Sequence, residues 1–145
     1  MVIKMENKKE ALDGEAWIKK YYPVEAISLF NASDIECTQH SLNKWRGLTK
    51  EVLGQYGLVA NGYAIEGYNF KFRVNDDSCA LCIKYVVREK SCANCPLCKQ
   101  LGKPCDVTED SPYFTFTYKE SPLPMIEALE KTLLSLQQNR KEDGK

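Results

Sequence analysis

Hydrophobic positions along the chain follow two different periods, with a cysteine-rich stretch between them. From Ser33 to Gly47, Ile35, Leu42 and Trp45 recur at helical spacing and mark one face of a helix. Ser33 and Glu36 have the spacing of a capping box, in which each side chain bonds the other's backbone amide. Gly47 supplies the stop. A shorter helix is expected from Glu15 to Tyr22 around Trp17 and Ile18, ended by Pro23. Thr49 is placed to cap another through Val52 and Leu53, closed by Gly54 or Gly57.

The period then changes. Leu58, Ala60 and Tyr63 lie around the turn residues Asn61 and Gly62. Tyr68, Phe70, Phe72 and Val74 alternate with Asn69, Lys71 and Arg73, which predicts a half-buried strand. Tyr113 to Tyr118 is rich in aromatic and β-branched residues and reads as a second strand. Pro122 and Pro124 open a last helix with Met125, Ile126, Leu129, Leu133 and Leu136 on its apolar stripe. The pattern predicts a small single α+β domain, with helices around a short antiparallel sheet. Its expected bounds are a flexible segment over 1–13, the domain over 14–138 with a metal-binding insertion at 79–105, and a charged tail over 139–145.

Charge adds little pull toward nucleic acid. The chain has 20 basic and 20 acidic residues and no formal net charge, whereas phosphate neutralisation calls for surplus Lys and Arg. The surplus is local: seven basic against three acidic residues from Lys71 to Cys105, then one basic against six acidic from Asp106 to Glu130. No stretch reaches the roughly 20 apolar residues of a membrane span. Lys4, Lys8 and Lys9 are not followed by an apolar run, so no signal peptide is read, and a reducing cytoplasmic setting is expected.

In that setting seven cysteines point to metal before disulfide. Six lie between Cys79 and Cys105, as Cys79-Ala80-Leu81-Cys82, then Cys92-Ala93-Asn94-Cys95-Pro96-Leu97-Cys98, then Cys105. A C-x-x-C pair forms a tight knuckle whose two sulfurs can face one ion, and two pairs complete tetrahedral zinc. Cys92/Cys95 and Cys95/Cys98 overlap, so only one can join Cys79/Cys82. The preferred ligands are Cys79, Cys82, Cys92 and Cys95, with Cys98 and Cys105 as alternates. Structural zinc is the preferred cofactor. An iron–sulfur cluster is the alternative, because Cys92, Cys95 and Cys98 match the first three ligands of a bacterial ferredoxin, although no C-x3-C-P follows. Disulfides and unligated thiols are the remaining readings.

Catalytic readings are weaker. His40 is the single histidine, and the H-x-E of zinc deaminases is absent. Cys37 and His40 stand at i, i+3 on the expected helix, but no third orienting group accompanies them. The aromatic row of Tyr68, Phe70 and Phe72 suits core packing better than base stacking.

Several segments occur in an order that resembles a known group. These are His40-Ser41-Leu42-Asn43-Lys44-Trp45-Arg46-Gly47-Leu48, Cys79-Ala80-Leu81-Cys82, Cys92-Ala93-Asn94-Cys95-Pro96-Leu97, Ser111-Pro112-Tyr113, and Pro124-Met125-Ile126-Glu127-Ala128-Leu129. The chain from Tyr22 to Leu129 resembles a group of small, uncharacterised cysteine-rich proteins of bacteria and their phages. That resemblance implies a bacterial or phage cytosolic protein and brings no activity with it. Cys98 belongs least firmly to the shared pattern, which adds to the preference for Cys95.

The functional expectation is a non-enzymatic protein-interaction or regulatory module stabilised by structural zinc. If phage-encoded, it would act as an inhibitor of a host protein. The expected partner is a protein, met by surface near the knuckles and the Lys84, Arg88, Lys90 cluster. The alternatives are a weak nucleic-acid-binding zinc protein and an iron–sulfur redox or sensor protein. No membrane partner is expected.

Overall fold

The computed structural model of the protein describes residues 13–29, 31–74, 78–87, 95–102 and 111–143. Helix α1, Gly14–Tyr21, starts where the Asp13 carboxylate accepts the Ala16 amide at 3.0 Å. A 3-10 turn, Ala26–Leu29, leads on to helix α2, Asp34–Arg46. The expected capping box is formed: Glu36 N–H donates to Ser33 Oγ at 3.1 Å, and Ser33 N–H to Glu36 Oε1 at 3.3 Å. Gly47 is the C-cap, as its position after the last periodic residue predicts. Thr49 caps helix α3, Lys50–Gln55, through its hydroxyl and the Val52 amide.

Three antiparallel strands follow: β1 (Val59–Asn61), β2 (Ala64–Gly67) and β3 (Phe70–Arg73), in that order across the sheet. Both connections are two-residue hairpin turns, between Asn61↔Ala64 and Gly67↔Phe70. Gly62 and Asn69 take the positive φ that such turns need. Ile65 pairs with Phe72, which places both on the face covered by Trp17 and Tyr22. Glu66 pairs with Lys71 on the opposite face, where their side chains meet at 3.7 Å.

The predicted strand is shorter than its alternation. Tyr68 sits in the β2–β3 turn at 94% exposure and does not share the buried face with Phe70, Phe72 and Val74. The reason is register: pairing Gly67 with Phe70 leaves residues 68 and 69 as the loop.

Tyr113 to Tyr118 corrects the sequence reading. It lies in helix α6, Pro112–Lys119, with Ser111 at the N-cap. Pro112 at the first helical position fits a helix start. Thr115 and Thr117 satisfy their hydroxyls by donating to carbonyls four residues back, Ser111 O and Tyr113 O, at 3.0 Å. Phe116 is fully buried edge-on to Trp45, ring centroids 5.1 Å apart. Packing against α2 therefore outweighs the β-propensity of the segment.

Helix α7, Leu123–Asp143, runs across α2 and α6. Met125, Ala128, Leu129 and Thr132 are its buried positions, while Ile126, Leu133 and Leu136 are half-buried. Its backbone remains helical through most of the charged tail. Among the described residues, no helix is long and apolar enough to cross a membrane.

Candidate metal centre

The first knuckle begins at Cys79, the N-cap of a one-turn helix, α4 (Ala80–Cys82), which continues as a π-turn, Ile83–Val87. The second begins at Cys95, the N-cap of helix α5, Pro96–Leu101. Pro96 starts α5, and Gly102 ends it in the left-handed conformation, donating its amide to Cys98 O at 2.8 Å. Cys98 thus stands three residues beyond Cys95, as Cys82 does beyond Cys79. Cys92 and Cys105 lie outside the described residues.

In both pairs the second cysteine's backbone N–H bonds the leading sulfur. In the first, the Cys82 backbone N–H and the Cys82 thiol both bond the Cys79 sulfur. In the second, the Cys98 backbone N–H bonds the Cys95 sulfur, and the Cys95 and Cys98 side chains bond each other.

Hydrogen bonding from Cys82 is the main influence holding the Cys79 thiol down to about 5. Burial opposes it, and the Lys44 ammonium and Ser41 hydroxyl assist. Cys95 is pushed the other way, first by its bond to Cys98 and then by burial, with a smaller contribution from the charge on Cys79. The pairs therefore sit within electrostatic reach of each other. Among the described residues, however, no three His, Cys, Asp or Glu side chains close on a common point that would hold an ion. The donor chemistry fits a thiophilic metal: two soft sulfurs per turn, with one amide N–H bond to the leading sulfur of each.

Helix α2 lays a polar ridge against the first knuckle. Ser41 Oγ is 3.6 Å from Cys79 Sγ. One turn on, Lys44 is buried to 1% exposure, and its Nζ donates to Ser78 O at 2.8 Å and Ser78 Oγ at 3.2 Å. Sequence reasoning did not single out Lys44. In a helix with mixed periodicity, a lysine beside an asparagine reads as solvent-facing, and only the docked knuckle reveals its burial.

Lys84 departs from the expected basic cluster. Its Nζ donates to Asp34 Oδ1 at 2.8 Å and to Ala32 O at 2.9 Å, and Tyr85 OH donates to the same Asp34 oxygen at 2.6 Å. Its charge is committed inside the fold, to a partner 50 residues away in sequence. Arg88 and Lys90 lie outside the described residues.

Cys37 and His40 do not form a dyad. The Cys37 thiol is fully buried and donates to Leu29 O at 3.5 Å, and burial pushes its pKa up to about 11. His40 Nε2 donates to Val24 O at 2.5 Å, which leaves Nδ1 unprotonated on a neutral ring. Burial lowers the His40 pKa.

No known protein family, curated protein or solved structure matches this chain.

Proposed function

We propose that this protein is a non-enzymatic interaction module whose cysteine region is stapled by one structural zinc ion. The observation that carries the metal reading is the repeated turn at Cys79/Cys82 and Cys95/Cys98. In both, the leading sulfur is bonded by the amide of the second cysteine. Two such turns offer four sulfurs to one ion, and binding it as thiolates would release the thiol protons. This favours Cys98 over Cys92 as the partner of Cys95.

The interaction reading rests on presented side chains. Tyr68 projects from a two-residue hairpin turn at 94% exposure, and Val59 at the same end of the sheet is 63% exposed. A tyrosine on a short turn loses little conformational freedom on contact, which suits recognition of a protein surface.

Elemental analysis of anaerobically purified protein tests the metal. Close to one zinc per chain, with a lower melting temperature after strong chelation, is expected. Visible absorption and a brown colour would replace zinc by an iron–sulfur cluster. Metal-free protein of unchanged stability would leave the cysteines as ordinary core thiols. Capture from a bacterial lysate, with wild type beside a Tyr68→Ala/Val59→Ala variant, tests the partner. An identified protein whose capture falls with the variant supports the reading. Nucleic acid recovered in a salt-sensitive way overturns it.

A further inference from the structure

The two cysteine pairs differ in access. Cys95 and Cys98 are buried, at 4% and 8% exposure, and Cys37 is fully buried, whereas Cys79 and Cys82 are both only half-buried. The Cys82 thiol bonds the Cys79 sulfur, so the two sulfurs of that pair are already neighbours. Their backbones differ as well. α4 is a single turn of three residues that runs on into the π-turn, while α5 has six residues, with Pro96 at its start and Gly102 as its C-cap. The shorter turn can yield locally at less cost. Oxidation of a cysteine follows access, and cysteines buried in the fold are inert.

We propose that Cys79 and Cys82 form an oxidation site, a dithiol that hydroperoxides convert to a disulfide and that cannot hold metal in that state. One sulfur attacks the peroxide. An S–O bond forms, the O–O bond breaks, and the products are a sulfenic acid and an alcohol, or water where the oxidant is hydrogen peroxide. The second sulfur then attacks the oxidised one. The S–S bond forms, the S–O bond breaks, and the oxygen leaves as water. The pair loses two electrons and the peroxide gains them. The protons taken up come from the two thiols, or from solvent when the sulfurs start as metal-bound thiolates. Release of zinc rests on the metal reading above, because a disulfide offers no thiolate ligand. Formation of the disulfide does not rest on it.

The test uses the full chain, purified anaerobically and loaded with zinc. It is treated with limiting hydrogen peroxide, quenched by alkylation and mapped by mass spectrometry, while a chromophoric chelator reports released zinc. The first disulfide should join Cys79 to Cys82, with Cys37, Cys95 and Cys98 still alkylated. One zinc should be released per disulfide, and a dithiol reductant with added zinc should reverse both changes. In denaturant, where Cys79/Cys82 and Cys95/Cys98 keep only their equal spacing, the preference should disappear. A first disulfide at Cys95/Cys98, or one that joins Cys79 or Cys82 to another cysteine, overturns the proposal. So does zinc that stays bound after the Cys79–Cys82 disulfide has formed, or a preference that survives unfolding. Wild-type protein that takes up no zinc overturns the metal reading instead, and the identity of the first disulfide then decides the oxidation site by itself.

Discussion

The indole nitrogen of Trp17 donates to the carbonyl oxygen of Gly47 at 2.8 Å, joining the middle of α1 to the end of α2. The contact is so close that a Cβ on residue 47 would lie 2.5 Å from Tyr21 Cγ and 2.8 Å from Trp17 Nε1. Gly47→Ala must therefore push α1 away or break this bond. Such overpacking costs about 1–3 kcal/mol, and thermal melting should fall by roughly 3–10 °C. An unchanged melting temperature would show that α1 can shift without loss.

Asp34 should be costly to remove. It receives both Lys84 and Tyr85 at the start of α2. Asp34→Ala leaves a half-buried ammonium without its carboxylate and should cost about 1–3 kcal/mol by denaturant unfolding. Lys84→Met should cost less, since it leaves a carboxylate that Tyr85 still serves. The double variant should lose less than the two single losses combined. Simple additivity would mean that the pair contributes no coupling energy.

The knuckle pairing has a direct test in metal content. Cys79→Ser, Cys82→Ser, Cys95→Ser and Cys98→Ser should each reduce bound zinc, while Cys37→Ser should retain it. Cys92→Ser should retain zinc as well. Loss of zinc in Cys92→Ser with retention in Cys98→Ser would restore the Cys92/Cys95 pairing.

Acid should weaken the fold through His40. Its folded pKa is lowered by burial, so the unfolded chain binds the proton more readily. The neutral ring's contribution is complete above the ordinary histidine pKa of about 6.5 and declines as the pH falls below it toward the lowered folded value. Denaturant midpoints from pH 7.5 to 5 should fall more steeply in wild type than in His40→Gln. Parallel curves would place the acid sensitivity elsewhere.

Short-range signals in the sequence translated directly into structure. Ser33 and Glu36, Thr49 and Gly47 each act within a turn of their own position, and each caps its helix as the spacing implies. Tyr113 to Tyr118 misled because aromatic and threonine content describes a half-buried surface of either kind. The deciding contact, Phe116 on Trp45, joins residues far apart in sequence. Strands of three and four residues such as β1 and β2 are too short for alternation to reveal. The C-x-x-C pairs were legible because spacing alone defines them. Lys44 and Lys84 were not, because a lysine's burial depends on what docks over it.

The links from Asp34 to Lys84 and from Lys44 to Ser78 span 50 and 34 residues. All three strands lie between the joined ends, so the sheet forms the contents of a closed loop. Closing such a loop demands chain entropy before any contact rewards it. The start of the cysteine region should therefore dock late, onto an α2 whose first turn is already capped by its own residues. Amides of 80–85 should exchange with solvent through openings that leave α2 intact, while opening of α2 should expose both together. Native-state hydrogen exchange read segment by segment would show that order as two tiers of protection, the lower one rising when metal is added.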